Sequence, residues 1–337
     1  MPSVLLLHTN SEYATSLART LESIKTDYSV DVVTRTPISD RLSHLLFHQY
    51  DLIQTDEFLG NGVLAYFGST LTGTPLVVSV RGWADYMNAH DDYGWFRESS
   101  IRARTKLVLG QTSKVMYISE ETKKVFENEY EVKTSTVTPR PVNVERFRTP
   151  NSTASTASDE IQLVTVTNLR YKAKYDGVVT ILNGLADLFD EFKNLRYCIA
   201  GDGEYAAQLT RFLDSYPHRD RVEYVGYVED VPTLLSESIG FVYVSYLDSL
   251  ATVVLEAQAA GLPIIGGDAV GVPEAVGDAG LICPPTADGV RNAVGRLLKD
   301  SSLRDTLSEK SRKKMEAYNE RCARRHVDVW NEVLGYS

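Results

Sequence analysis

Short apolar runs alternate with helical stretches along this chain, and the alternation stops once and then restarts. Val4–His8, Val30–Val33, Leu52–Gln54, Leu76–Val80 and Lys114–Ile118 read as strands. Ser11–Ile24 reads as a helix, with Leu17, Leu21 and Ile24 spaced for one face. Apolar runs this short, bounded by turn residues and separated by helices, predict parallel strands joined by crossover helices. Periodicity is lost over Arg148–Asp159, which is rich in Ser and Thr and reads as a linker. It resumes with strands at Ile161–Thr167, Arg196–Ala200, Val222–Val225, Phe241–Ser245 and Ile264–Ile265. Helices are expected at Gly177–Phe189, Tyr205–Ser215 and Val231–Ser236, and the stretch from Asp288 to Leu334 is helical and charged. With 337 residues there is chain enough for two cores. The expected fold is α/β, with two doubly wound parallel-sheet domains over residues 1–147 and 161–315 and a linker over 148–160. Residues 316–337 form a helix that could cross back to the first domain. Such domains place a ligand cleft at the carboxyl ends of their strands.

Composition narrows the function. Hydrophobic residues at 43% and charged residues at 24% fit an ordinary soluble protein, and a net charge of −10 argues against nucleic-acid binding. The acidity is uneven, with 16 basic and 18 acidic residues up to Pro150 but 19 and 27 after it. Cys198, Cys283 and Cys322 have no ligand or bridge spacing and read as small apolar residues in a reducing compartment. The apolar start, Met1–His8, is too short for a signal peptide or a membrane span, so the expected location is cytoplasmic. A peripheral membrane contact stays open through the Arg97–Lys114 run, where Arg97, Arg102, Arg104, Lys106 and Lys114 face one acid, Glu98. Ile101, Thr105 and Val108 share one face of that helix; a solvated basic face is the commoner reading of such a run. Asp91-Asp92 has no further ligand signal and the histidines show no ligand spacing, so no metal is expected.

The segment Asp248-Ser-Leu-Ala-Thr-Val-Val-Leu-Glu256 carries the most chemistry. Two carboxylates stand on either side of a predicted helix start, on a helix apolar enough from Val253 to Ala260 to be buried. A buried carboxylate is costly unless something satisfies it, so Glu256 needs a partner. A buried Arg is one answer. The other is a ligand: the backbone of Ser249, Leu250, Ala251 and Thr252 would offer N–H groups and the positive dipole end to an anion such as a diphosphate. At ~1.5 Å rise per residue, Glu256 lies roughly 9 Å along the axis from Leu250. Asp248 and Glu256 would then flank the diphosphate, the layout of a nucleotide-sugar. Lys174 is the first candidate for the matching cation, with Arg170 or Lys172 as substitutes; a solvated basic loop is the plainer reading of that stretch.

The second half resembles the nucleotide-sugar domain of the retaining glycosyltransferases of family 4, which have the two-domain GT-B fold of Rossmann-like units. The resemblance runs in order through Val166–Gly177, Cys198–Glu204, Val222–Asp230, Asp248–Pro263 and Gly271–Glu274, about 120 residues in all. It implies that Glu256 accepts hydrogen bonds from the ribose hydroxyls and that Asp248 binds the transferred sugar. Gly226 and Tyr227 would frame the nucleotide base, and Gly271–Glu274 would close beneath the donor. Where relatives have Glu, glycines and Arg, this chain has Asp248, then Ser249 and Ala251, and Asn168. Gly201-Asp-Gly203 is better read as a tight strand-to-helix turn than as a dinucleotide fingerprint.

The first half is less legible. Arg81 ends the strand Leu76–Val80, where the family often has a His contributing to the sugar site; it could instead bind a phosphate or carboxylate. Tyr117–Glu120 and Pro139–Phe147 resemble the end of the family's first domain. Taken together, the resemblance implies a metal-independent hexosyltransferase using a nucleotide-diphospho-sugar, such as a UDP-sugar or GDP-sugar, and no cofactor. The acceptor would be a glycan, a lipid-linked molecule or a small molecule. Two alternatives share the fold. A non-catalytic partner subunit is suggested by Asn168, Arg81 and the altered loop; a nucleotide-sugar epimerase would need an acid/base pair in the first domain, which the sequence does not present.

Overall fold

The computed structural model describes residues 1–9, 11–34, 36–82, 99–148 and 160–336. The linker expected over 148–160 falls almost wholly outside them, as do Asp91, Asp92, Arg97 and Glu98. The chain divides into two units, Met1–Val142 with Ala317–Ser337, and Asn143–Glu316.

The first unit contains β1 (Ser3–His8), α1 (Ser11–Ser23), β2 (Ser29–Thr34), α2 (Ile38–Phe47), β3 (Leu52–Thr55), α3 (Gly60–Thr72) and β4 (Leu76–Val80), then α4 (Ser99–Gln111), β5 (Thr112–Tyr117), α5 (Glu120–Glu129) and β6 (Ser135–Val137). Its strands are all parallel and ordered β2-β1-β3-β4-β5-β6. Alternate residues of β1 enter two cores: Leu5 and Leu7 pack with Leu45, Ala65, Val108 and Phe126, while Val4 and Leu6 pack with Leu17, Leu21 and Trp330. This two-sided burial is why the strands read as continuous apolar runs.

The second unit contains α6 (Val144–Phe147), β7 (Ile161–Val166), α7 (Lys172–Glu191), β8 (Leu195–Ala200), α8 (Ala206–Asp214), β9 (Val222–Gly226), α9 (Val231–Ser236) and β10 (Gly240–Tyr243). It continues with α10 (Thr252–Ala259), β11 (Ile264–Gly267), α11 (Val272–Val276), β12 (Gly280–Cys283), α12 (Ala287–Lys299) and α13 (Ser301–Glu316). The order is β12-β11-β10-β7-β8-β9, again all parallel. The final helix, α14 (Tyr318–Leu334), belongs to the first unit. There Trp330 is fully buried, and its Nε1 donates to Gln54 at 2.8 Å.

Two local expectations need correction. The boundary falls after Val142 rather than after residue 147, because α6 joins the second unit, where Arg146 donates to the Glu229 carbonyl at 2.8 Å. Helix α7 begins at Lys172 rather than Gly177, so Lys172 and Lys174 stand on its first turn and not in a loop.

Each strand order reverses direction once, between β1 and β3 in the first unit and between β7 and β10 in the second. At such a switch point the two following connections leave on opposite sides, and a crevice opens outside the carboxyl ends.

Candidate functional site

In the second unit the switch-point strands β7 and β10 deliver Lys174 and Asp248 to one place. Lys174 follows β7 on the first turn of α7, and Asp248 follows β10 by five residues. Gly177 makes this possible. A Cβ there would sit 1.9 Å from the Val244 carbonyl oxygen, so only glycine lets α7 lie this close to the end of β10. Lys174 Nζ donates to Asp248 Oδ2 and to Tyr243 Oη, the latter at 2.6 Å, and Tyr243 donates to the same Oδ2 at 2.7 Å. Asp248 Oδ1 carries no hydrogen bond among the described residues, and 13% of that side chain is exposed against 8% for Lys174.

Burial alone would drive Lys174 toward its neutral form. The Asp248 carboxylate and the Tyr243 oxygen overcome that, holding its pKa above the usual lysine value. Burial first, and Asp248 second, push Tyr243 up to about 12, so it keeps its proton. The result is a fixed ammonium beside a carboxylate with one oxygen open, in a setting where charge is weakly screened.

Four residues beyond Asp248, α10 begins. No side chain caps its N-terminus, so its first-turn N–H groups face the loop that holds Ser249, Leu250 and Ala251. Leu250 and Ala251 are buried and Ser249 half-buried, a packing set by Gly271. A Cβ on Gly271 would lie 2.2 Å from the Ser249 carbonyl oxygen, and its N–H donates to the Asp248 carbonyl at 3.1 Å. The Gly271–Glu274 turn thus underlies the Asp248 loop. Gln258, fully buried, ties α10 to α11 by donating to the Val276 carbonyl at 2.8 Å.

Glu256 departs from expectation. It is half-buried, not buried, because Thr252, Val253 and Glu256 share the face of α10 left partly open while Val254, Leu255 and Ala257 pack inward. Its carboxylate therefore stands on the same helix as the uncapped N-terminus, one turn beyond Thr252.

The basic stretch resolves into one inward and two outward cations. Lys172 pairs with Asp176 one turn on, and Arg170 is exposed over the Tyr171 ring at 5.7 Å. Gly201-Asp-Gly203 is the turn from β8 to α8, knitted by Leu169 N–H to the Asp202 carbonyl and Gly201 N–H to the Gly226 carbonyl. Gly226 closes β9, and Tyr227 beyond it is 77% exposed.

Arg81 lies in the first unit, at the end of β4. Its Nη2 donates to Asp56 and, at 3.0 Å, to Thr9 Oγ1, and its guanidinium stacks 5.2 Å from the Tyr13 ring centre. Asp56 also accepts from Thr9 N–H at 3.1 Å and Thr9 Oγ1 at 2.6 Å. His8, fully buried at the end of β1, has Nδ1 3.6 Å from Asp56, and burial chiefly pushes its pKa down to about 3. Arg81 is therefore the counter-ion of a buried aspartate.

Sequence reasoning missed Tyr243, Asp56 and Thr9. Tyr243 had a signal: a phenol in an otherwise apolar buried strand needs a partner for its hydroxyl. Asp56 had one too, as an acid directly after the strand Leu52–Thr55. Among the described residues, no three His, Cys, Asp or Glu side chains converge as a metal centre requires, and no helix is long and apolar enough to cross a membrane.

Residues 149–314 match the family model described as glycosyl transferases group 1. The second unit is a group 1 glycosyl transferase domain. Over 177 residues this chain is 27% identical to the N-acetyl-alpha-D-glucosaminyl L-malate synthase of Bacillus anthracis, covering 51% of this chain and 45% of that protein. It is 30% identical over 138 residues to the alpha-D-kanosaminyltransferase of Streptomyces kanamyceticus, covering 40% of this chain and 36% of the relative. Each match spans less than half of the relative's length. Among solved structures, Anabaena HepE in complex with UDP superposes with a TM-score of 0.77 at 15% identity, covering 98% of this chain and 100% of that one. The architecture is the GT-B fold, two doubly wound parallel-sheet units.

Proposed function

We propose that this chain transfers a sugar, with retention of anomeric configuration and without a metal, from a nucleotide-diphospho-sugar to an acceptor. The observation that carries the reading is the Lys174–Asp248 pair at the switch point, beside the uncapped start of α10 and the open face that bears Glu256. Lys174 and the α10 N–H groups would take the diphosphate, and the permanent charge of Lys174 would stabilise the negative charge that grows on it as the sugar leaves. Glu256 would accept the ribose hydroxyls, since one carboxylate takes two donors at once. Asp248 Oδ1 would accept a hydroxyl of the sugar while Tyr243 and Lys174 hold Oδ2. Gly226 and Tyr227 would frame the base, and Arg170 would reach the donor from the exposed rim. Arg81, held by Asp56, would serve the acceptor side. Retention and metal independence rest on the family resemblance; a uridine nucleotide is supported by the UDP bound to HepE.

The test is donor binding by the purified chain to UDP, GDP, ADP and their sugars, with magnesium and with a chelator. At 100 times its dissociation constant, a ligand stabilises a protein by about 2.7 kcal/mol, a readable thermal shift. One nucleotide should stand out regardless of magnesium, and Glu256→Ala should weaken it about a hundredfold through lost charge-assisted hydrogen bonds. Unchanged affinity in that variant would reject the site. Silence of the unmodified chain toward every nucleotide would favour the non-catalytic subunit.

A further inference from the structure

The C-terminal end of α2 brings two histidine rings into register. His44 lies on the last turn and His48 is the residue that ends the helix, four positions on, a ligand spacing that sequence reasoning missed. Their imidazoles stack with ring centres 4.6 Å apart and planes 14° from parallel, and the Tyr50 ring packs against them at 6.4 and 6.2 Å. Hydrogen bonding fixes the tautomer of each ring. Tyr50 donates its one proton to Asp31 Oδ2 at 2.8 Å, so toward His44 Nδ1, also 2.8 Å away, its oxygen only accepts, and that Nδ1 carries a hydrogen. His48 Nδ1 faces the Ser43 carbonyl at 3.3 Å; a carbonyl only accepts, so this Nδ1 carries a hydrogen as well. In the neutral rings the lone pair of each is therefore on Nε2. Neither Nε2 has a hydrogen-bond partner among the described residues, and His44 is half-buried and His48 exposed.

Two imidazole lone pairs side by side suit a divalent transition ion and not magnesium or calcium, which prefer oxygen. The series Asp31–Tyr50–His44 is the outer support that orients a metal-bound imidazole and raises its basicity. The local charge agrees with a cation. The C-terminal end of α2 is the negative end of its dipole. Asp40 stands one turn before His44, while Arg41, the one Arg or Lys of α2, is turned to Asn61 at 2.6 Å. Zinc–nitrogen bonds of about 2.0–2.1 Å at a tetrahedral angle set two nitrogens about 3.3 Å apart, which stacked rings reach by tilting their Nε2 edges together. We infer that His44 and His48 form a two-histidine site for a zinc-class divalent ion, steadied by Tyr50 and Asp31. Two ligands fall short of the three-ligand centre that the described residues lack, so water would complete the shell and the ion would exchange. The site lies where α2 leads into β3, at the amino ends of the strands and away from the switch-point crevice, so it is independent of the donor reading.

The experiment is calorimetric titration of the chelator-stripped full chain with zinc and, separately, with magnesium, followed by electron paramagnetic resonance of the chain loaded with copper(II). Zinc should give a saturable isotherm and magnesium none, and the copper spectrum should show coupling to two imidazole nitrogens. His44→Gln with His48→Gln should abolish the zinc isotherm. His48→Gln alone, at an exposed position that leaves the fold in place, should reduce the copper coupling to one nitrogen. Tyr50→Phe should keep both nitrogens and weaken zinc about tenfold, because the His44 ring loses the partner that holds it. Absence of zinc binding by the unmodified chain overturns the inference. Binding of zinc and copper that the histidine variants leave unchanged assigns the ion to surface carboxylates of this acidic chain and overturns it equally. Unchanged zinc affinity in Tyr50→Phe overturns the part given to Tyr50 and Asp31.

Discussion

Both units reverse strand order at a point where an aspartate follows a strand, and they use that aspartate differently. Asp56 in the first unit is saturated: Thr9 N–H, Thr9 Oγ1 and Arg81 occupy it, its side chain is fully buried, and the neutral His8 lies behind it. Asp248 in the second is half-used, with Lys174 and Tyr243 on one oxygen and the other without a bond among the described residues. The first arrangement is closed by its own protein partners, and the second leaves one carboxylate oxygen without a protein partner among the described residues. A crevice at a switch point is a geometric opportunity, and the residues at the strand ends decide whether it is filled from within.

The largest expected effect separates the two. Asp56→Ala strands the Arg81 guanidinium, and losing one partner of a buried pair costs about 3–5 kcal/mol. Denaturant unfolding should register that loss while nucleotide affinity of the folded variant stays as it was. A matching fall in affinity would mean that the two clusters act as one. Gly177→Ala comes next. Its Cβ, placed 1.9 Å from the Val244 carbonyl, forces α7 outward, an overpacking cost of about 1–3 kcal/mol, and carries Lys174 away from Asp248. Calorimetric nucleotide binding should weaken together with stability; a loss of stability alone would detach Lys174 from the donor site.

Counted per residue and per pH unit, the smallest effect belongs to the buried histidines. Folding holds His8 at about 3 and His326 at about 4, in both cases chiefly by burial, whereas the unfolded chain titrates near the ordinary 6.5. The unfolded state therefore binds more protons below that value. Stability is fully present above pH 6.5 and falls as pH drops toward 4, at up to about 1.4 kcal/mol per pH unit for each histidine. Melting followed from pH 7 to pH 5 should show the decline, and His326→Gln should flatten it. A flat profile in the unmodified chain would mean that both rings are charged in the fold, and a slope halved that one of them is.

Much of this is legible in the sequence. The strands at Val4–His8 and Leu76–Val80 and the restart after Arg148 follow from apolar runs, because burial on both faces leaves a local trace. So does the helix start between Asp248 and Glu256. The length of α7 was harder to read, since Tyr171 offers no side-chain cap to mark its beginning. Tyr243 escaped because a tyrosine in a strand looks like core until its hydroxyl finds a charge. The depth of Glu256 was misjudged because α10 is apolar on its open face as well, where Val253 sits.

The sequence by itself determined two repeats of one alternating pattern, the acidic balance, and the spacing of Asp248 and Glu256 about a helix start. All are local properties, written in periods of a few residues. The tertiary structure alone decided that Lys174 meets an aspartate 74 positions away, that Arg81 belongs to Asp56, and that α14 returns to the first unit. Those partnerships depend on which strands lie side by side and how closely a glycine lets a helix approach, and no local period records either.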